Sequence, residues 1–126
     1  MFFFLCVCGY SNSHHQGEIE ETDIRPLFEP LLHQYGVDVL FAGHVHAYER
    51  TYPVLNGKLA PPGTSSFIEI NIGDGGNREG PALPWCTPIS SFPWSAYRDA
   101  VFGHGSYVTA AKIAYIISFG LHSLTS

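Results

Sequence analysis

His44-x-His46 is the sharpest chemical feature of this sequence. Neutral imidazole is the commonest metal ligand among side chains. Residues two apart on a strand point to the same side. Just past a strand end, both rings can reach one metal or two adjacent ones. The same spacing also suits two surface or core-capping histidines, so its weight comes from context. An apolar run, Val37-Asp38-Val39-Leu40-Phe41-Ala42, precedes the pair, Gly43 breaks it, and Tyr48-Glu49-Arg50 follows. Glu49 and Arg50 can anchor such a loop from behind.

The elements that must position this pair are legible around it. Residues 18–36 predict a helix. Ile24, Leu27, Phe28, Leu31, Leu32 and Tyr35 form one apolar stripe at helical spacing. Thr22 or Asp23 can cap its start and Gly36 can close its end. Glu18, Glu20, Glu21 and Asp23 suit the positive end of the helix dipole. Pro30 should kink the interior. Residues 37–42 then read as a strand buried on both faces. Helix, tight turn and buried strand imply an α/β layer architecture, with ligands at the strand's carboxyl end.

Further on, Ser66-Phe67-Ile68-Glu69-Ile70-Asn71-Ile72 is a strand candidate, broken by Gly73-Asp74-Gly75-Gly76-Asn77. Residues 80–97 hold four prolines with Trp85 and Trp94, the composition of a loop pinned by aromatics. Gly103-His104-Gly105 reads as a turn and residues 106–109 as the start of a last strand. The opening residues 1–8 are apolar and read as a buried strand. They lack the positive flank and small-residue cleavage site of a signal peptide. The apolar stretch 114–121 is short of the ~20 residues needed to span a bilayer.

Several ordered blocks resemble one family. Residues 38–50, Asp38-Val39-Leu40-Phe41-Ala42-Gly43-His44-Val45-His46-Ala47-Tyr48-Glu49-Arg50, look like the last metal-binding block of the purple acid phosphatases, dinuclear metallophosphoesterases of the calcineurin-like fold. Tyr10-Ser11-Asn12-Ser13-His14-His15-Gln16-Gly17-Glu18 is similar to that family's substrate-histidine loop. Asn71-Ile72-Gly73-Asp74-Gly75-Gly76-Asn77, Trp94-Ser95-Ala96-Tyr97-Arg98-Asp99 and Phe102-Gly103-His104-Gly105 look like its closing blocks. The resemblance implies a partial calcineurin-like layered sandwich, truncated, of class α/β. It implies that His44 binds a divalent metal (Zn, Mn or Fe) and His46 a ferric ion, Fe(III). It also implies that His15, with His14 beside it, lies over the phosphate and gives a proton to the leaving alcohol while a metal-bound hydroxide attacks. The substrate class is then a phosphate monoester, and the location secreted or vacuolar. A solvated loop pair is the plainer reading of His14 and His15.

The match runs over about residues 10–109, with a divergent apolar start at 1–9 and a divergent apolar tail at 110–126. The family's earlier metal-binding aspartates, tyrosine and asparagine do not appear before residue 10, and Cys6 stands near where a further histidine ligand belongs. The chain is therefore expected to be a fragment, inactive alone, with retention of either metal left open. The alternative is a non-catalytic product with a zinc site from Cys6, Cys8, His44 and His46, although the gap from Cys6 to His44 fits no compact finger. Asp74 is expected to form a turn, His104 to bond structurally, His33 to meet the last helix carbonyls or favour the helix dipole, and Arg98-Asp99 to form a local ion pair or anchor a loop.

Composition agrees and excludes other classes. The 126 residues are 45% apolar and 14% aromatic, which rules out a disordered or coiled-coil chain. Only 13% are charged, against ~25% in typical domains, which suggests a surface made to be covered by more chain. Six Lys and Arg against eleven Asp and Glu leave no basic patch for nucleic acid. One face of the structure is then expected to be unusually apolar.

Overall fold

The computed structural model describes residues 1–5, 9–110 and 113–120; from residue 106 onward, and at Phe2 and Ile89, it describes backbone alone. Cys6, Cys8 and His122 lie outside the described residues, and so does the cysteine half of the alternative zinc site.

The apolar run after Gly36 forms β2 (Val39–Ala42), as its composition predicts. It is an inner strand of a five-stranded mixed sheet. β1 (Phe2–Phe4) and β6 (Ile68–Ile72) flank it in parallel, with Phe4 opposite Phe41 and Ile70 opposite Phe41. β3 (Tyr48–Thr51) runs antiparallel to β6, and β7 (Ser95–Asp99) closes the far edge against β3. β4 (Val54–Leu55) and β5 (Lys58–Leu59) form a small hairpin, and β8 (Gly103–Ala110) pairs with β9 (Ile113–Gly120) in another. Both ends expected to diverge thus carry strands.

Three of these elements differ from expectation. β7 takes up residues assigned to the aromatic loop. β8 starts at Gly103, within the expected turn. The β4–β5 hairpin turns on Asn56-Gly57, both at positive φ (53° and 73°), a standard signal for a two-residue hairpin.

The helix also departs from its apolar stripe. A single π-helical turn, Glu20–Ile24, leads into α1 (Arg25–Gln34), and neither start is capped by a side chain. Pro26 sits in the first turn, where a missing N–H costs nothing. Pro30 lies inside α1, and Gly36 closes the end at φ +62°. Of the stripe, only Leu32 is buried, while Leu27, Phe28, Leu31 and Tyr35 are exposed. The helix packs instead through Arg25, Glu29 and Leu32. The buried Glu29 carboxylate accepts the Tyr10 hydroxyl at 2.8 Å and lies 3.9 Å from Arg25 Nε and 3.6 Å from His33 Nε2. Tyr10 in turn accepts the Gly57 N–H. Polar contacts to the Tyr10 loop outweigh the simple periodicity, and His33 turns to Glu29 and Phe67 rather than to the helix end.

The face of the sheet under α1 is built from buried polar side chains. Register brings Leu40 beside Glu69, Ala42 beside Asn71, and Asn71 beside Glu49. Glu49, Thr51, Glu69 and Asn71 are all at most 2% exposed. Glu69 accepts the N–H groups of Gly9 and Tyr10 at 3.0 and 3.2 Å, and its own N–H donates to Thr51 Oγ1 at 2.9 Å. The apolar core over this face is Tyr10, Leu32, Val37, Leu40, Val54, Phe67 and Trp94. The opposite face holds Val39, Tyr48 and Ile70, with Phe4 stacked on Phe41 at 5.0 Å. Phe4, Ile72 and Tyr97 stand exposed, so this face is apolar and partly open.

Burial drives the two carboxyls of the polar face upward. Desolvation outweighs the N–H bonds in both, placing Glu49 at about 7 and Glu69 at about 8. Each group therefore holds its proton more readily folded than unfolded. The folded state binds extra protons between the ordinary 4.5 and these values, so stability must fall as pH rises through that window. Each pH unit inside it is worth up to about 1.4 kcal/mol per group. Urea midpoints are expected to decline from pH 5 to pH 8, and Glu69→Gln is expected to flatten the decline.

Candidate metal and phosphate site

The loop after β2 is held by its backbone. Ala47 N–H donates to the Val45 carbonyl at 2.8 Å, a three-residue turn centred on His46. The Asn71 side-chain amide donates to the Val45 carbonyl at 2.7 Å and the Ala47 carbonyl at 2.5 Å, so it grips the turn from both sides. Ala82 N–H donates to the His46 carbonyl at 2.8 Å. Gly73 lies directly beneath: a Cβ there would overlap the Val45 carbonyl and sit 2.7 Å from that of Gly43. The glycine after β6 is thus required by the close approach of two backbones.

The loop carrying His14 and His15 is tied down as firmly. Glu49, buried in β3, accepts the Asn12 N–H at 3.1 Å and the Ser95 hydroxyl at 2.9 Å. Arg98, opposite Glu49 in the sheet, donates to Asn12 Oδ1 at 2.9 Å and the Cys86 carbonyl at 3.1 Å. Its guanidinium stacks over Trp85, which bridges to Ser13. Cys86 N–H donates to the Asn12 carbonyl at 2.7 Å, and its thiol to the Ser13 carbonyl at 3.1 Å. Glu49 and Arg98 are therefore loop anchors, as their positions suggested, while Asp99 reaches Tyr97 rather than Arg98.

These two anchored loops bring three of the four expected histidines together. His14 and His15 lie with ring centres 4.1 Å apart, and His15 meets His44 edge-on at 5.8 Å. The His15 Nδ1 lies 3.0 and 3.1 Å from the two oxygens of Glu18. His44 Nε2 lies 3.8 Å from Glu20. His46 has another neighbour: its Nδ1 is 3.4 Å from Glu79, beside an open groove with Asn77 and Arg78. The turn at His46 thus gives the two rings different partners. Glu18, Glu20 and Glu79 were not among the expected site residues. The His15-x-x-Glu18 spacing carried the first of them, whereas Glu20 and Glu79 come from separate segments and left no local signal.

Asp74 is buried, and its carbonyl accepts the Gly103 N–H at 2.8 Å, joining the turn after β6 to β8. Burial and then nearby Asp99 raise its carboxyl above the usual range. This is the turn role expected of it.

Residues 66–110 match the family model described as iron/zinc purple acid phosphatase-like protein C. Purple acid phosphatase 18 of Arabidopsis thaliana is 53% identical over 95 residues, 75% of this chain and 20% of that protein. The chain belongs to the purple acid phosphatase family. Fe(3+)-Zn(2+) purple acid phosphatase 12 of the same plant is 44% identical over 100 residues, covering 73% of this chain and 20% of that protein. The structure of purple acid phosphatase PPD1 from yellow lupin seeds superposes with a TM-score of 0.71 at 26% identity, over 84% of this chain and 20% of that one. The α/β sheet-dominated fold is therefore the calcineurin-like one, and the chain spans about a fifth of the length of these relatives.

The family's iron and zinc require more donors than the described residues bring to His44 and His46. Among the described residues, the only group of three or more His, Cys, Asp or Glu with converging donor atoms is His15, Glu18 and His44. His46 is outside it, and no carboxylate of the described residues joins His44 to His46. Among the described residues, His44 and His46 thus stand as two separate imidazoles without the further donors that a two-metal centre needs.

Asn71→Ala is expected to lower stability by about 1–3 kcal/mol, because it takes a donor from two buried carbonyls. Gly73→Ala should displace the His44 loop, read as altered chemical shifts at His44 and His46. Asn71→Asp should not rescue the first variant, since it restores the shape without the donor.

Proposed function

We propose that residues 10–109 supply the histidine side of a phosphomonoesterase site. His44 and His46 each give one imidazole to a dinuclear centre of Fe(III) and a divalent metal, and His15 with His14 faces the phosphate. The observation that supports this most is the meeting of the His14-His15 loop with His44, two segments anchored independently by Glu49 and Asn71. A phosphate bound beside His44 would fall within reach of His15. When bound, the metals would supply charge neutralisation and an activated water.

The chain's own residues supply the rest. Glu18 on Nδ1 orients the His15 ring, leaving the other ring nitrogen for the ester. A histidinium there can neutralise phosphoryl charge and pass its proton to the departing alkoxide. His14, packed on His15, limits the ring's rotation. A secreted or vacuolar location accompanies this reading. No helix among the described residues is long and apolar enough to cross a membrane.

The 126-residue chain with added iron and zinc is expected to show no turnover of an aryl phosphate, because the described donors do not complete the centre. Residues 10–109 grafted into the matching region of a purple acid phosphatase relative should retain turnover. In that graft, His46→Ala should abolish it, and His15→Ala should lower kcat by about 100-fold or more with a smaller effect on an ester whose leaving group needs no proton. A graft indifferent to both substitutions would defeat the assignment.

A further inference from the structure

We propose, resting on the phosphomonoesterase reading above, that Ser13 is a positioning residue for His15: its buried hydroxyl fixes the turn that aims the imidazole at the ester. Gln16 N–H donates to the Ser13 carbonyl at 3.0 Å, so residues 13–16 form a β-turn with His14 and His15 at its corner. The Ser13 hydroxyl also accepts the His15 N–H at 3.2 Å. A serine that bonds the N–H two residues on closes a second, side-chain turn over the same corner. One residue thus restrains the backbone on both sides of His14, and with it the root of the His15 side chain.

The hydroxyl is itself held. Ser11 Oγ lies 2.9 Å from it and accepts the Ser13 N–H at 3.2 Å. Both serines are buried, so bulk water does not compete for these bonds. The Ser13 carbonyl takes the Cys86 thiol at 3.1 Å as well, and Ser13 bridges to Trp85. The first residue of the turn is therefore fixed to the loop before β7, while His14 beyond it is exposed and His15 half-buried.

That contrast bears on proton transfer. The His15 ring has two local neighbours, His14 at 4.1 Å between ring centres and Glu18 at 3.0 Å from Nδ1. His14 moves with the same turn, and the Glu18 side chain is 44% exposed. From the buried side, the ring's backbone is held through Ser13. A misplacement of about 1 Å at the reacting atoms can cost about 100-fold in rate. Loss of the Ser13 hydroxyl would release the His15 N–H and let the turn swing. Ser13 is fully buried, so it acts through His15 and not on the ester.

The test combines the 126-residue chain with the graft. In the chain, Ser13→Ala is expected to remove the nuclear Overhauser contact between the His14 and His15 rings and to leave the amide shifts of β2 in place. In the graft, Ser13→Ala should lower kcat on an alkyl phosphate by about tenfold or more, with KM little changed. The loss should be smaller on an ester whose leaving group needs no proton. Ser13→Thr, which keeps the hydroxyl, should recover most of it. Ser11→Ala leaves Ser13 intact and takes only the neighbour of its hydroxyl, so it should show the same pattern in smaller degree even where the Ser13 variants do not fold. Unchanged kcat in Ser13→Ala, or an equal loss on both esters, overturns the role. If His15→Ala disables the graft and Ser13→Ala does not, only this role falls. If His15→Ala leaves turnover intact, the phosphomonoesterase reading falls and takes the role with it.

Discussion

A carboxylate withdrawn from water must find donors, and Glu49 finds them in the loop that carries His14 and His15. Its oxygens take the Asn12 N–H and the Ser95 hydroxyl, while Arg98 across the strand pair closes on the Asn12 side chain. Loop, inner strand β3 and edge strand β7 are thereby locked by one buried group. Glu69, two residues along the same face on the neighbouring strand, does the same for Gly9 and Tyr10. An apolar face could bury more surface, but it could not fix where a loop's backbone lies. The directionality of these bonds is what sets the histidine loop against His44.

The same constraint explains which parts of the fold were legible in the sequence. β2 and β6 are runs whose composition alone demands burial, and both formed where expected. Helix 18–36 was legible as a helix but not in its orientation. Periodicity assigned Leu27, Leu31 and Tyr35 to the core, yet Glu29 took the buried side because Tyr10 and Arg25 satisfy it. Amphipathicity scores apolar residues and has no means of recognising a buried acid whose partners lie far along the chain. β3 and β7 were missed for a related reason. Glu49, Thr51, Arg98 and Ser95 look like loop residues, and only the long-range bonds among them make a strand of each segment. The Asn56-Gly57 turn was a local signal that sequence reading passed over.

For the site, the residue types were legible and the pairings were not. His14, His15, His44 and His46 stand out by chemistry and by the family blocks around them. That His15 should meet Glu18 follows from a spacing of three in a turn. That His46 should stand beside Glu79, and His44 beside Glu20, depends on where three separate segments end. Glu18 and Glu20 read naturally as acids at a helix start. The chain instead places a π-helical turn there and spends them on imidazoles.

The loop geometry bears on why the two histidines are spaced by one residue. In a strand, His-x-His would put both rings on one side, suited to a single ion. Here Ala47 N–H closes on the Val45 carbonyl, and the chain reverses at His46. The reversal turns His46 away from the partners of His44 while the backbones stay adjacent. Such a turn costs conformational freedom at Val45 and Ala47, and Asn71 offsets it by bonding both carbonyls. Gly73 leaves the space in which those carbonyls sit. An asparagine on the neighbouring strand and a glycine just past its end thus determine whether the two rings face the same neighbours or different ones. Neither residue would be singled out by a search for metal donors, although both lie within the Asn71-Ile72-Gly73 block that the family resemblance marks.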